Sequence, residues 1–462
     1  MADKSAVPVE LGTEPIGKLL KEYALPAIIA MTASSLYNMI DSIFIGQGVG
    51  ALAISGLAVT FPLMNLSTAF GTLVGIGGAT ILSILLGQKN YAAANKVLSN
   101  IVSLNIIIGL AFTAISLAFL DPILYFFGAS DNTIVYAREY MQIILYGNII
   151  SHVYFGLNGA LRASGSPKKA MNLTLLSVAL NVMLAPIMIF WLDMGIRGAA
   201  LATVIAQAIA LTFSMTHFSD TRRTVHFEKG IVRLDWRIAK DSFAIGFGPF
   251  LMNSAACLVT LFINQQFRKY SGDVGIGAYG IDNRLTFIFV MICAGLNQGM
   301  QPIAGYNYGA RKYSRVKEVY KKAVLYATVV TSLCFIVSVF FPDAVTRIFT
   351  TDEDLIATAN HGLRIMNLIF PLVGFQIVST NLFQCLGMVQ KSIFLSLSRQ
   401  ILCLLPVLYL LPLALDADGI WWSFPISDAF ASIMTIILII QLIKKLGRLK
   451  DGDDPAVLGS KI

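Results

Sequence analysis

The sequence predicts an all-α polytopic membrane protein, with about twelve transmembrane helices in two pseudo-symmetric six-helix bundles. The first observation is the composition: 56% of the residues are hydrophobic and 13% are charged, whereas soluble domains carry about 25% charged residues. The second is a series of long apolar runs, and the third is a resemblance between the two halves of the chain. Together they indicate membrane spans rather than one water-soluble core.

Twelve apolar runs are long enough to cross a bilayer, which takes about 20 helical residues. They cover residues 17–46, 52–86, 95–120, 135–162, 169–191, 195–217, 240–267, 275–307, 319–342, 355–386, 391–413 and 418–443. The second, eighth and tenth runs are longer than a perpendicular helix requires, so we expect them to tilt, bend or project from the bilayer. The alternative is that one of them contains a re-entrant piece.

Lysine and arginine are distributed unevenly between the two sides of this span pattern. When residues near a span end are assigned to the adjoining side, 26 of the 34 belong to the termini and the even-numbered connections, six to the odd-numbered connections, and two, Arg284 and Arg399, lie well inside spans. Because basic residues favour the cytoplasmic side, both termini are predicted to be cytoplasmic. The predicted division is an N-terminal cytoplasmic segment 1–16, an N-lobe 17–217, a cytoplasmic linker 218–239, a C-lobe 240–443 and a cytoplasmic tail 444–462.

Equivalent short motifs recur 222 positions apart in the two halves. Gly87 after the second run matches Gly309 after the eighth, and Gly165 after the fourth matches Gly387 after the tenth. Six spans return the chain to its starting side, so the repeats are predicted to be parallel, related by an axis along the membrane normal. Two such bundles can rock about a central cleft, as alternating-access transporters do.

Several function classes are disfavoured by the sequence. The net charge is +8, but the basic residues lie at the ends of apolar runs, so no nucleic-acid partner is expected. No Walker, HExxH or GxSxG motif indicates ATP use or an enzyme. The five cysteines have no CxxC spacing, so no metal site, disulfide framework or cofactor is predicted. The polar N-terminus does not resemble a cleavable signal peptide.

Motifs spread over residues 15–445 resemble the multidrug and toxic compound extrusion (MATE) family, and its MepA-like branch in particular. They are Leu25-Pro26 and the segment Tyr37 to Gly46, Arg162-Ala-Ser-Gly165, Gly198-Ala-Ala-Leu-Ala-Thr203, and Gln298 to Ala310. Each motif is weak alone, but together, in order and with the half-repeat, they are specific. The resemblance implies two lobes around a V-shaped cleft in a bacterial inner membrane. It also implies an antiporter that exports small hydrophobic or cationic xenobiotics, driven by protons or sodium.

The chain departs from that family at one position that bears on the coupling ion. Many members carry Asn-x-x-x-Asp-Pro in the fifth span, whereas this chain reads Asn181-Val-Met-Leu-Ala185-Pro186. The resemblance carries over Asp41, Asn181 and Thr203 as ion-coupling residues, but with one formal charge instead of two. A single carboxylate is a weak anchor for sodium, so proton coupling is favoured.

Asp41 lies inside the first apolar run, where a carboxylate at the bilayer centre costs about 2.5–3.5 kcal/mol. Tyr37 and Asn38, four and three residues earlier, share its helical face, while Thr203 and Gln207 share a face of the sixth span. If these faces converge they form a polar chamber in which a proton and a cationic cargo compete for the carboxylate. For Asn181 and Thr203, interhelical hydrogen bonding is the alternative role.

The C-lobe lacks a matching acid, because aligning the two halves places Asn264 opposite the first-span aspartate. Its intramembrane charges are Asp282, Arg284, Arg399 and Asp428. Residues two apart do not face each other on a helix, so Asp282 and Arg284 are expected to pair with other spans. Asp428 is expected to pair with Arg399 or Arg284. Structural locking is the favoured role and ion coupling the alternative.

His152, in the fourth run, titrates in a range suited to coupling. A lone histidine inside a helix is more often a hydrogen-bonded core residue, which is the favoured interpretation here.

Two other functions stay open at this stage. A lipid-linked saccharide flippase of related architecture would favour a cluster of cations in its cleft, and only Arg284 and Arg399 are available. An intramembrane enzyme is the other alternative, but it has no motif to support it.

Overall fold

The computed structural model describes residues 10–228, 234–349 and 352–453, apart from the side chains of residues 38, 39, 47, 51, 257 and 273. Within these ranges the regular elements are helices and no strand occurs. The helices are α1 (Glu10–Thr13), α2 (Ile16–Gly48), α3 (Ala51–Gly87), α4 (Tyr91–Ala118), α5 (Leu120–Phe126), α6 (Ile134–Tyr146), α7 (Asn148–Ala163), α8 (Pro167–Pro186), α9 (Gly195–Ser219), α10 (Trp236–Tyr270), α11 (Gly272–Gly309), α12 (Tyr313–Phe340), α13 (Pro342–Phe349), α14 (Glu353–Met366), α15 (Phe370–Cys385), α16 (Val389–Leu397), α17 (Leu405–Leu410) and α18 (Pro412–Arg448). Two π-helical turns, Ile187–Trp191 and Ser398–Leu404, follow α8 and α16.

Ten helices of the described chain are long and apolar enough to cross a membrane, and α14 with α15, bent by 55°, would form an eleventh span. The all-α membrane fold class is therefore confirmed. The predicted fourth run, 135–162, is divided between α6 and α7, which meet at Gly147. The side chain of Val204 lies so close that a Cβ on Gly147 would collide with it.

The two halves end equivalent helices with the same backbone geometry. Lys89 and Arg311, 222 positions apart, have φ values of 60° and 57°. In each case the N–H of this residue and the N–H of the next one donate the two backbone hydrogen bonds of a Schellman motif. Gly165 and Gly387 occupy the same position after α7 and α15, with φ of 90° and 69°. The repeat seen in the sequence thus extends to the conformation of its turns.

The described chain divides into two compact units. Unit 1 contains the described residues up to Thr13 together with Ile29–Phe250, and unit 2 contains Glu14–Ile28 together with the described residues from Leu251 onwards. The divisions therefore fall inside α2 and α10, close to Pro26 and Pro249. A proline in a helix lacks the amide donor of a normal turn, which makes both positions suited to a bend.

Each unit has its own apolar core. In unit 1 a cluster that includes Ile45, Tyr140 and Ala185 packs residues of α2, α6 and α8 together. In unit 2 a cluster that includes Phe267 and Trp421 packs α10 against α18. These cores hold in place the buried polar side chains described next.

Candidate functional site

Asp41 is a buried carboxylate in the unit 1 part of α2. It is 5% exposed, and its Oδ1 is enclosed by protein without a hydrogen-bond partner among the described residues. The side chain of Asn38, predicted to share this face, lies outside the described residues. An ionised carboxylate in such surroundings is far more costly than a neutral acid.

A hydrogen-bonded trio lies one helical turn before Asp41. The Thr203 hydroxyl donates to the carbonyl of Ala199 at 3.2 Å and accepts from Asn181 Nδ2 at 2.8 Å. The hydroxyl of Tyr37 lies 3.0 Å from the same Oγ1. Because Thr203 has one proton to give, Tyr37 acts as a donor to it. The structure thus brings together residues of α2, α8 and α9, as the sequence predicted for Tyr37, Asn181 and Thr203.

Two further residues of unit 1 complete these surroundings. Tyr140 of α6 is 1% exposed and lies near enough to Asp41 for the charge of the carboxylate to act on it. Sequence reasoning missed it; its only signal was that a tyrosine inside an apolar span needs a polar neighbour. Ala185, where many family members carry the second acid, is fully buried in the apolar cluster of unit 1.

His152 belongs to a separate polar network. Ser67 Oγ donates to Asn148 Oδ1 at 2.5 Å and lies 3.2 Å from His152 Nε2. Since the serine proton is used, His152 must carry its proton on Nε2 and donate it to Ser67. Asn148 Nδ2 donates in turn to Thr113 at 3.4 Å, so the network ties α7 to α3 and α4. His152 Nδ1 is buried without a partner among the described residues.

Gln207 is half-buried on α9, one turn after Thr203, and its partner is Ser151 of α7, which donates a hydrogen bond to its Oε1. No hydrogen bond within the described ranges links Gln207 or His152 to Asp41. The residues predicted to form one polar chamber therefore lie in two separate groups, one at Asp41 and one around His152 and Gln207.

In unit 2, Arg399 and Asp428 form the ion pair that the sequence predicted as one of two options. Arg399 Nε lies 2.6 Å from Asp428 Oδ1, and its Nη2 lies 3.3 Å from Oδ2. Such a two-bond arrangement fixes both side chains and neutralises the carboxylate. Arg284 is exposed on α11 and makes no ion pair with a described residue.

The other predicted residues of unit 2 have different surroundings. Asn264 is half-buried on α10. Asp282 is fully buried, and neither carboxylate oxygen has a hydrogen-bond partner in the described chain. The expectation that Asp282 pairs with a residue of another span is therefore wrong, because the arginines that could have served are exposed or already bound to Asp428.

Among the described residues, no group of three or more His, Cys, Asp or Glu side chains is placed to hold a metal ion. Cys293, Cys334, Cys385 and Cys403 are buried free thiols, and the side chain of Cys257 lies outside the described residues.

Comparison with known proteins gives a consistent result along the chain. The MatE family model matches residues 26–187 and 244–410. The multidrug export protein MepA of Staphylococcus haemolyticus (strain JCSC1435) is 29% identical over 93% of this chain and 95% of its own length. A structure of the MATE multidrug transporter DinF-BH is 34% identical, with a TM-score of 0.88 over 97% of this chain and 100% of that one. An outward-facing multidrug resistance MATE family transporter of the MOP superfamily is 23% identical, with a TM-score of 0.90 over 96% and 99% of the two chains.

Proposed function

Since this chain belongs to the MatE family of multidrug efflux transporters, we propose that it exports hydrophobic and cationic xenobiotics in exchange for protons. The proposed location is a bacterial plasma membrane, with both termini in the cytoplasm. Transport requires neither ATP nor a bound cofactor, because the proton gradient supplies the free energy. One charge crossing 100 mV yields about 2.3 kcal/mol.

The observation that carries the proposal is the buried acid Asp41 in unit 1. Its Oδ1 has no hydrogen-bond donor within the described part of the chain, and the tyrosines Tyr37 and Tyr140 are near enough for its charge to act on them. A carboxyl without a compensating charge can be neutralised by a proton or by a cationic cargo, but not by both. Binding of one therefore favours release of the other, which is the exchange that an antiporter needs.

The same neighbourhood favours protons over sodium. Sodium is a hard cation that needs several oxygen ligands, and a second acid would strengthen such a set. Here Ala185 stands in the apolar cluster, and the oxygen of Thr203 already accepts from Asn181 and Tyr37. A proton needs only one carboxylate oxygen, so it is the better match to the residues present.

The flippase alternative is weakened by the second unit. It would use Arg284 and Arg399 as cations for a pyrophosphate, but Arg399 is bound to Asp428 through two hydrogen bonds. Only exposed Arg284 is left of the pair. The family relatives named as export proteins also favour efflux of small molecules.

The proposal is tested with purified protein in liposomes, loaded with a fluorescent cation such as ethidium. A pH gradient and a sodium gradient are imposed in separate experiments. We expect the pH gradient alone to drive ethidium movement, and Asp41→Asn protein to behave like empty liposomes. Movement driven by sodium alone would overturn the choice of proton, and equal movement in the Asp41→Asn protein would overturn the role of Asp41.

A further inference from the structure

The environment of Asp282 in unit 2 has no role in the function proposed above. The residue lies on α11 with a fully buried side chain, and both carboxylate oxygens lack partners within the described ranges. A buried carboxylate that accepts no hydrogen bond is the least stable state such a group can have. The question is therefore how the charge of Asp282 is removed or balanced in the folded protein.

The space around Asp282 is filled by glycine and aromatic atoms. A Cβ on Gly362 of α14 would collide with Asp282 Oδ2 and with the ring of Trp421 from α18. Tyr279, one turn earlier on α11, stacks on Phe267, which also contacts Trp421 at a ring separation of 4.5 Å. Gly362 therefore packs against both the Asp282 carboxylate and the Trp421 ring, so a side chain at position 362 could not supply an oxygen ligand to an ion there.

The charged and titratable groups on the packed elements do not neutralise Asp282. On α14, His361 is exposed and its Nε2 lies 2.9 Å from Asp418 Oδ1 of α18, while Arg364 is exposed beside it. Arg284 on α11 is exposed as well. Tyr279 is near enough to Asp282 for the charge of the carboxylate to act on it, but a neutral phenol brings no positive charge.

We propose that Asp282 is a second proton-binding site, which holds a proton in this conformation. Protonation forms an O–H bond on one carboxylate oxygen and removes the negative charge, so that the side chain can remain among Gly362, Tyr279 and Trp421. The proton can leave only when α14 or α18 separates from α11 enough to admit water or a cation. The protein then carries one exchangeable acid in each unit, Asp41 in unit 1 and Asp282 in unit 2.

Infrared spectroscopy of the purified protein tests this directly, because a protonated acid has a carbonyl stretch that a carboxylate lacks. Carbon-13 labelling of the aspartate carboxyls shifts the aspartate bands and leaves the glutamate bands in place. At neutral pH we expect a protonated aspartate band in the wild type that is weaker in Asp282→Asn, where Asp41 can still contribute, and absent from the double variant Asp41→Asn, Asp282→Asn. In the control Asp418→Asn, where an exposed acid is changed, the band should persist. An unchanged band in folded Asp282→Asn protein would overturn the proposal.

The test also works without changing residue 282. Labelled Asp41→Asn protein retains Asp282 and should keep a protonated aspartate band with the frequency of a weakly hydrogen-bonded acid. Absence of any such band in this protein would show that Asp282 is ionised and would contradict the proposal.

The infrared result for Asp282 can be distinguished from the test of the proposed export function. Loss of ethidium movement in Asp41→Asn reports on export, whether or not the Asp282 band is present. If both proposals hold, proton release measured on addition of ethidium should fall in either single variant and fall further in the double variant. Proton release in Asp282→Asn equal to that of the wild type would count against exchange at Asp282.

Discussion

Asp41 in unit 1 and Asp428 in unit 2 are equally buried, at 5% exposure each, but their surroundings are opposite. Asp428 receives two hydrogen bonds from Arg399, so its charge is balanced within the protein. Asp41 has phenols nearby, and its Oδ1 has no donor in the described chain. Burial alone therefore does not decide what an acid inside a membrane protein does. The partner decides whether the charge is fixed or exchangeable.

The largest effect is expected when Asp41 is made permanently neutral. In cells lacking their own pumps, Asp41→Asn should abolish ethidium efflux, because the side chain can no longer exchange a proton for a cation. Asp121→Asn is the matched control, since this half-buried acid pairs with Arg138 at 2.7 Å and has no part in the site. If a well-expressed Asp41→Asn protein exports ethidium as fast as the Asp121→Asn control, Asp41 is not needed for export.

Asp428→Asn should mainly affect stability, because it leaves Arg399 without its counter-charge. Breaking a fully buried pair costs about 3–5 kcal/mol. The Arg399 side chain is 31% exposed and can reach some water, so we expect a smaller loss of about 2 kcal/mol.

This loss would appear as a lowered melting temperature of the purified protein. The double variant Arg399→Met, Asp428→Leu should recover most of it, because it removes both charges together. If Asp428→Asn has the melting temperature of the wild type, the ion pair does not stabilise the fold. Asp428 could then no longer be contrasted with Asp41 as an acid with a structural role.

A smaller effect is expected from Thr203→Val, which preserves shape but removes the hydroxyl. Asn181 and Tyr37 would then lose their shared acceptor, at a cost of about 1–2 kcal/mol. Thr203→Ser keeps the oxygen and should remain close to wild type in melting temperature and efflux. Equal melting temperatures for the valine and serine variants would mean that the trio contributes no stability near Asp41.

Most of the fold could be predicted from the sequence, because apolar runs, basic termini and the 222-residue repeat are local or periodic signals. The convergence of Tyr37, Asn181 and Thr203 followed from helical faces together with the family resemblance. Sequence spacing does not record how spans dock, so the position of Tyr140 beside Asp41 could not be predicted. For the same reason the sequence could not reveal that Asp282 has no partner among the described residues.

The smallest effect concerns an exposed pair in unit 2 that contrasts with the buried Arg399–Asp428 pair. Asp343 Oδ2 accepts a hydrogen bond from Arg347 Nε at 2.8 Å at the start of α13, outside the predicted spans. The hydrogen bond from Arg347 lowers the pKa of the Asp343 carboxyl. With a lowered folded-state pKa, the stabilisation is present at neutral pH and is lost as pH falls below about 4.

Melting temperatures of the wild type and Asp343→Asn, measured from neutral to acidic pH, would test this contribution. The two should differ slightly at neutral pH and converge on acidification, and added salt should reduce the difference because the pair is exposed. A difference that persists unchanged at acid pH could not come from this ion pair. Solvent exposure would then not explain why the Asp343–Arg347 pair and the buried Asp428–Arg399 pair contribute differently to stability.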